Sequence, residues 1–211
     1  MKIIAISDTH NMQKYIKLIP EGDVVVHAGD STMRGTVKEI SEFAEWYGKL
    51  NFKHKVAISG NHDFGFQNAN RETVENIMAE NGITYLKDSG AEIEGIKFWG
   101  APWQPWFHSW AFNLHRGNEI AEKWNLIPED TNILITHGPP YGILDVTETG
   151  ETVGCEALTE RIKSLKNLKY HIFGHIHESY GAVERNGVVY VNACTCTRNY
   201  TPTNKPVMIE M

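Results

Sequence analysis

Gly60-Asn61-His62-Asp63 sets an amide, an imidazole and a carboxylate in successive positions directly after the apolar run Val56-Ala57-Ile58-Ser59. Four more polar clusters follow apolar runs in the same way: Asp8-Thr9-His10, Gly29-Asp30, His137-Gly138 and Gly174-His175-Ile176-His177. Singly, each has an ordinary reading. Asp-x-His and Gly-Asp occur in solvated turns, and Gly-Asn-His-Asp suits a turn closed by Asx hydrogen bonds. The histidine pair is the most specific piece, because alternate residues of an extended chain share a face and both imidazoles point one way. Together the clusters supply Asp8, His10, Asp30, Asn61, His62, His137, His175 and His177, oxygen and imidazole donors without sulfur. Such donors suit borderline to hard divalent ions such as manganese, iron, zinc or cobalt. They are too many for one tetrahedral ion, whereas two ions bridged by one carboxylate would use them all. Two ions about 3.5–4 Å apart can hold two oxygens of a phosphoryl group and lower the pKa of a water between them.

The clusters can meet only if the runs before them lie side by side. Residues 2–7 are apolar and end at Asp8; residues 23–28 end at Gly29-Asp30; residues 55–59 end at Gly60. Residues 133–136 and 170–173 repeat the pattern before His137 and Gly174. Helix signals fall between these runs. Residues 12–19 predict a short helix stopped by Pro20. Thr36-Val-Lys-Glu39 is a capping box opening a helix to about Leu50, with Val37, Ile40, Phe43, Tyr47 and Leu50 on one face. Residues 70–81 predict another, with Val74, Ile77 and Met78 inward and Gly82 as its C-terminal cap.

Residues 83–102 read as two or three short strands with turns at Ser89-Gly90 and Glu94-Gly95. The tryptophans at 99, 103, 106 and 110 have a helix-like spacing that Pro102 and Pro105 contradict. Helices are expected at 118–125 and 155–166, a hairpin around Asn186-Gly187, and a last strand at 207–210. Runs buried on both faces and alternating with helices predict an α/β layered fold, a single domain over residues 1–211, with antiparallel hairpins at the edges or in a second sheet. Ligands of such sheets gather at the carboxyl ends of the strands. All five clusters fall there.

Composition narrows the partners. With 41% apolar and 22% charged residues over 211 positions, the chain can bury a sizeable core. A net charge of −6 argues against a broad basic face for extended nucleic acid. It leaves room for a small phosphorylated substrate, since bound metal reverses the sign locally. The first apolar run is too short for a signal-peptide core, and no run is long enough to span a membrane. Cys155, Cys194 and Cys196 form neither a disulfide framework nor a paired zinc site. A cytoplasmic protein without membrane attachment is expected. His27 is expected to hydrogen-bond within the core, His54 and His171 to be no ligands, and His108 and His115 to be structural or superficial. Cys194-Thr195-Cys196 is expected to pack near the site.

In this order, Asp8-Thr-His10, Gly29-Asp30, Gly60-Asn-His-Asp63, His137 and Gly174-His-Ile-His177 resemble the five blocks of the calcineurin-like metallophosphoesterases, over nearly the whole chain. Ala101-Pro-Trp-Gln-Pro-Trp-Phe107, Trp110-Ala-Phe-Asn113, Thr136-His-Gly-Pro-Pro140, Gly174-His-Ile-His-Glu178 and Asn199-Tyr-Thr-Pro202 are similar to the branch that includes the mammalian brain 239 proteins. The resemblance implies a four-layer α/β/β/α sandwich with two mixed β-sheets and a hydrolase with a binuclear metal centre. It implies Asp8, His10 and His177 on one ion, Asn61, His137 and His175 on the other, and Asp30 bridging. Manganese is the first choice, with iron, zinc, cobalt, nickel or magnesium as alternatives. His62 would be catalytic, facing substrate and leaving group, and Asn61, His62 and Arg34 would contact the substrate.

The branch is linked to phosphodiesterase activity, including on cyclic nucleotides, so a small phosphodiester attacked by a metal-bridging hydroxide is expected. A nuclease, or a low-turnover nucleotide-binding or scaffolding protein, are the alternatives. One position departs from the wider superfamily. Its protein serine/threonine phosphatases carry an aspartate three residues after the Gly-Asp aspartate, and it orients the catalytic histidine. Here that position is Met33. Asp63, the nearest carboxylate in sequence, is the first candidate to replace it. The change favours a small phosphodiester or nucleotide over a phosphoprotein. The tryptophan-rich loop either packs the core or walls the substrate site.

Overall fold

Alternation along the first strand, β1 (Lys2–Ile6), sends Ile3 and Ala5 to one side and Ile4 and Ile6 to the other, and all four are fully buried. A strand buried on both faces needs a layer on each side. The computed structural model, which describes residues 1–68 and 70–211, supplies both. β2 (Val24–Ala28), β3 (His54–Ile58) and β4 (Thr84–Tyr85) extend β1 in parallel. The second sheet contains β5 (Ser89–Ile93), β6 (Ile96–Ala101), β9 (Ile133–Thr136), β10 (Tyr170–Phe173), β11 (Gly181–Arg185) and β12 (Val188–Asn192), in the order β11-β12-β10-β9-β6-β5. Between β6 and β9 in sequence, β7 (Gln104–Pro105) and β8 (Asn113–Leu114) form a small parallel ribbon. The last strand, β13 (Val207–Glu210), returns antiparallel to β1 and closes the first sheet's edge. Both sheets mix parallel and antiparallel pairs, because each takes its core strands in parallel and finishes on a hairpin or a returning terminus.

The layer between the sheets is built from one face of each. Ile3, Val24, Val26 and Val56 meet Phe98, Ile133, Ile135, Ile172 and Val191 there. The outer faces lie under helices. α1 (Val37–Gly48) and α2 (Arg71–Glu80) cover the first sheet, with Phe43 and Tyr47 against His27 of β2. α3 (Asn118–Trp124) and α4 (Glu156–Ser164) cover the second, where Trp124, Leu158 and Ile162 join Leu134 and Phe173. This is the expected α/β/β/α sandwich.

The helix signals act as the local chemistry requires. Thr36 and Glu39 close the capping box reciprocally, at 3.2 Å from the Glu39 amide to the Thr36 hydroxyl and 3.0 Å from the Thr36 amide to the Glu39 carboxylate. At the end of α2 the chain turns at Gly82 (φ +70°), and the Ile83 amide reaches back 3.0 Å to the Met78 carbonyl, a Schellman closure.

Two expectations give way. The helix over 12–19 is only a 3₁₀ turn at Gln13–Tyr15. Tyr15 and Leu18 there are 58% and 72% exposed, so no apolar face is buried to stabilise a nucleus. Ser89-Gly90 is not a turn but the start of β5, paired to Gly100 and Trp99; the chain bends at Asp88 (φ 48°) instead. The Glu94-Gly95 turn does join β5 to β6, with φ of 51° and 81° as a type I′ hairpin needs. The tryptophan stripe is no helix, as the prolines foretold, but the β7–β8 ribbon and its connection. Among the described residues, no helix is long and apolar enough to cross a membrane.

Ile135 sits in the middle of the inter-sheet layer with none of its side chain exposed. Ile135→Ala is expected to lower the unfolding free energy by about 2–5 kcal/mol, through lost burial and a cavity between two sheets that cannot collapse independently. Urea denaturation with an unchanged slope and a lowered midpoint is the check.

Candidate metal centre

The strands β1, β2, β3, β9 and β10 end at one edge of the sandwich, and every polar cluster is there. The chain bends sharply to bring them in. Asp8, His10, Asp30 and His175 all take left-handed backbone angles, with φ of 51°, 44°, 54° and 70°. A residue with a side chain adopts that region at a cost of order 1–3 kcal/mol, and only where its surroundings hold it. Here the loops are stitched to one another. The amides of Asp8, His10 and Gly174 donate to the carbonyls of Gly29, Asp30 and His137 at 2.9, 3.1 and 2.9 Å. Gly60 and Gly174 allow close approaches, since a Cβ on Gly60 would collide with Asp30 and one on Gly174 with Asp8 and Ser7.

Two backbone carbonyls set the histidine tautomers. His137 Nδ1 is 3.0 Å from the Ala28 carbonyl and His177 Nδ1 is 3.0 Å from that of Thr197. A carbonyl only accepts, so each Nδ1 carries the proton and each Nε2 is left with a lone pair. Those lone pairs point at other acceptors. His137 Nε2 lies 2.9 Å from Asn61 Oδ1 and 3.4 Å from Asp30 Oδ2. His177 Nε2 lies 3.3 Å from Asp8 Oδ1 and 3.3 Å from His10 Nε2. His10 Nε2 is in turn 3.7 Å from Asp8 Oδ1 and 3.8 Å from Asp30 Oδ2. His175 joins Asp30 and His137 in one group of facing donor atoms.

Acceptors meeting acceptors in a buried place need a cation between them. Donors spaced this way fit ions bound at about 2.0–2.2 Å. Two clusters of facing donor atoms share Asp30, one with His10 and His62 and the other with His137 and His175, and Asp8 faces His177 and Cys194 in a third. The titration of these side chains shows the same demand. Burial alone would lower His137 and His177, yet Asp30 beside the first and Asp8 beside the second raise both to about 9. Protons do there what a cation would do. Desolvation pushes Asp8 upward, yet its hydrogen bonds with His10 and His177 hold it well below the usual carboxylate range. His175 is pushed down to about 3 by burial and by the charge of His137.

His62 is oriented by an unexpected partner. Its Nδ1 lies 2.8 Å from the backbone carbonyl of Met33, and its Nε2 is 3.9 Å from Asp30 Oδ2. Met33, which has no side-chain carboxylate, therefore supplies an acceptor from its main chain. Asp63 does not touch the ring, which corrects the expectation for it. It is fully buried and accepts from the Ser31 amide and hydroxyl, the Thr32 amide and hydroxyl, and the Gly60 amide. Burial and the charge of Asp30 raise its pKa against those donors.

A cavity of about 210 Å³ opens over the cluster, walled by Phe107, Trp110, Glu178, Arg198 and Tyr200. Trp110 lies against His62 with ring centroids 4.2 Å apart, held by the amide of Ala111 on the Asn61 carbonyl at 3.1 Å. Tyr200 stands edge-on to His10 at 4.8 Å. Arg34 is exposed and lines a neighbouring cavity of about 450 Å³ with Met33 and Phe64. His62, Trp110 and Tyr200 border both spaces. A larger cleft of about 660 Å³ between α3 and α4 contains none of the clusters.

Sequence reading missed Arg198 and Tyr200 as site residues, while Cys194 packs beside the site as expected. Tyr200 was within reach through Asn199-Tyr-Thr-Pro202; Arg198 carries no signal of its own. Cys194 lies 3.2 Å from Asp8 Oδ2, so the donor set is not wholly free of sulfur. It faces the oxygen turned away from His10 and His177, where the thiol, raised well above its usual value by burial, donates a hydrogen bond. His27 and His171 bond to Thr9 and Thr136 inside the core, and His108 and His115 are exposed.

A family model for calcineurin-like phosphoesterases matches residues 1–179. Human Metallophosphoesterase domain-containing protein 1 is 40% identical over 100% of this chain and 71% of its own length, and the mouse protein gives the same figures. The solved structure of TT1561 of Thermus thermophilus shares the fold at a TM-score of 0.64 and 14% identity, covering 90% of this chain and 88% of that one.

The histidine shifts predict a stability maximum for metal-stripped protein near pH 6.5. His137 and His177 bind protons more tightly folded than unfolded, so their contribution is complete below 6.5 and lost as pH rises through about 9. His27, His171 and His175 are held neutral to about 3, so the unfolded chain takes up protons first and stability also falls below 6.5. Melting temperatures in chelator across this range give the curve. Divalent metal should raise the alkaline limb most, and a melting temperature climbing steadily towards pH 9 without metal would contradict the assignment.

Proposed function

The chain belongs to the calcineurin-like phosphoesterase family, and from that premise we propose that it is a two-metal phosphodiesterase hydrolysing small phosphodiesters such as cyclic nucleotides. The observation that carries the reading is the double set of acceptors turned towards Asp30. Asp8, His10 and His177 would hold one divalent ion, Asn61, His137 and His175 a second, with Asp30 shared. Carboxylate, amide and imidazole donors favour manganese, with iron, zinc, cobalt, nickel or magnesium as alternatives. When bound, the ions supply positive charge to the phosphoryl oxygens and lower the pKa of a water at the site.

The chain's own residues do the rest. Asn61 turns its carbonyl oxygen to His137, which leaves its amide nitrogen to donate to a phosphate oxygen. His62 gives its Nδ1 proton to the Met33 carbonyl, so a second proton on the ring sits on Nε2, at the cavity. From there it reaches a departing alkoxide, which leaves poorly without one. Trp110 packs against the imidazole, fixes its plane and removes water from that side. Phe107, Trp110 and Tyr200 give the cavity aromatic walls for a small organic group, and Arg34 lies across His62 to meet substrate phosphate. An opening of about 210 Å³ and a net charge of −6 favour a small substrate over a phosphoprotein or a nucleic-acid strand. Three buried free thiols are in keeping with a reducing cytoplasm.

Metal-stripped protein is expected to leave bis(4-nitrophenyl) phosphate intact and to turn it over once Mn²⁺ is restored. Asp30→Ala should lose both turnover and stoichiometric metal uptake, as read by metal analysis after gel filtration. His62→Ala should keep its metal and lose roughly 10²–10⁴-fold in kcat on a cyclic nucleotide, the usual worth of a positioned acid. Full activity in Asp30→Ala would overturn the shared-ligand assignment.

A further inference from the structure

We propose that Asp63 and Thr32 are positioning residues that act on His62 through the Met33 carbonyl, a role resting on the reading of His62 as the proton donor. A backbone carbonyl orients a ring only as well as its own peptide is held. Met33 lies in the short connection from β2 to α1, outside the hydrogen-bonded ladder of any strand or helix. The connection is fastened on both sides of Met33. Before it, Thr32 gives its amide (3.0 Å) and hydroxyl (2.7 Å) to Asp63 Oδ1. After it, the Gly35 amide donates to that same Thr32 hydroxyl at 2.9 Å.

The loop is also pressed flat on its support. Gly35 has φ +64°, and a Cβ there would collide with the Phe64 amide and the Asp63 backbone. The contacts form a closed circuit: His62 is joined in the chain to Asp63, Asp63 holds Thr32, Thr32 holds the turn that carries Met33, and the Met33 carbonyl returns to His62 Nδ1. The Thr32 hydroxyl is its most exchangeable link. It bridges Asp63 and Gly35, and it takes no part in the hydrogen bonds of the ring or of the metal-facing donors.

Thr32→Val keeps the shape and removes the hydroxyl; Thr32→Ser keeps the hydroxyl. Each would be assayed with Mn²⁺ on two diesters. Bis(4-nitrophenyl) phosphate loses a phenolate that departs unprotonated, while a 3′,5′-cyclic nucleotide loses an alkoxide that does not. Thr32→Val is expected to lose about tenfold or more of kcat on the cyclic nucleotide, against about threefold or less on the aryl diester, with KM little changed. Thr32→Ser should recover most of the loss. Equal losses on both substrates, or no recovery in Thr32→Ser, would make the clamp merely structural and overturn the proposal.

A second measurement needs no turnover. In metal-free wild-type protein at alkaline pH, long-range ¹⁵N–¹H correlations should show neutral His62 protonated on Nδ1, and Thr32→Val should mix in the Nε2 tautomer. Wild-type His62 protonated on Nε2 would overturn the proposal whatever the activity. Protein that turns over neither diester with any divalent metal would defeat the phosphodiesterase reading instead, and the tautomer would still decide the clamp.

Discussion

Buried acceptors that face one another are the costly feature on which the rest of this molecule is arranged. Asp8, Asp30 and His137 are almost wholly inside, and their oxygens and ring nitrogens converge on a space that only protons or a cation can reconcile. Left unpaired, such groups would forfeit several kcal/mol of desolvation each. They persist because two sheets hold them from opposite sides. Asp8, Asp30 and Asn61 come from the first sheet's strand ends, and His137, His175 and His177 from the second's. The clusters Asp8-His177-Cys194 and Asp30-His137-His175 each draw on both sheets. The continuous apolar layer between the sheets therefore sets the distance between ligands as much as it sets stability.

This division explains where strain is tolerated. The left-handed angles at Asp8, His10, Asp30 and His175 all lie at strand ends, where the loops of one sheet bond to those of the other. A residue freed from those bonds would relax to a commoner angle and carry its side chain off the shared centre. Gly60 and Gly174 act to the same end from the other direction, since any side chain would push the strand ends apart at the points where Asp30 and Asp8 must pass. The rigidity here is a property of crossed loops, and a bound cation would complete it by joining the two halves.

Much of this was legible in the chain because the signals are local. A capping box, a glycine at a helix end and an apolar run that stops at an aspartate each report on their own neighbourhood, and the five polar runs converged as strand ends in such folds do. The turn at Gln13–Tyr15 was misread for a physical reason: its spacing is helical, but whether Tyr15 and Leu18 find a surface to bury depends on the rest of the fold. Tyr200 was hidden because it arrives from beyond β12, where no polar cluster marks the strand end. The partner of His62 could not be seen at all. It is a main-chain carbonyl, and every residue has one.

The fate of Asp63 shows why the nearest carboxylate in sequence was the wrong choice. Had it turned to His62, it would have gained one hydrogen bond and abandoned five donors from Ser31, Thr32 and Gly60. Three of those donors are buried backbone amides, and each left unpaired costs about 1–3 kcal/mol. A second effect points the same way. Asp30 already lies beside the ring, and another carboxylate there would set two negative charges against each other in a place that holds little water. Placing Asp63 under the loop and a neutral carbonyl against the ring satisfies both constraints. Met33 is thus no vacancy: the histidine keeps its orientation, and the site keeps one fewer negative charge beside the position a phosphate must occupy.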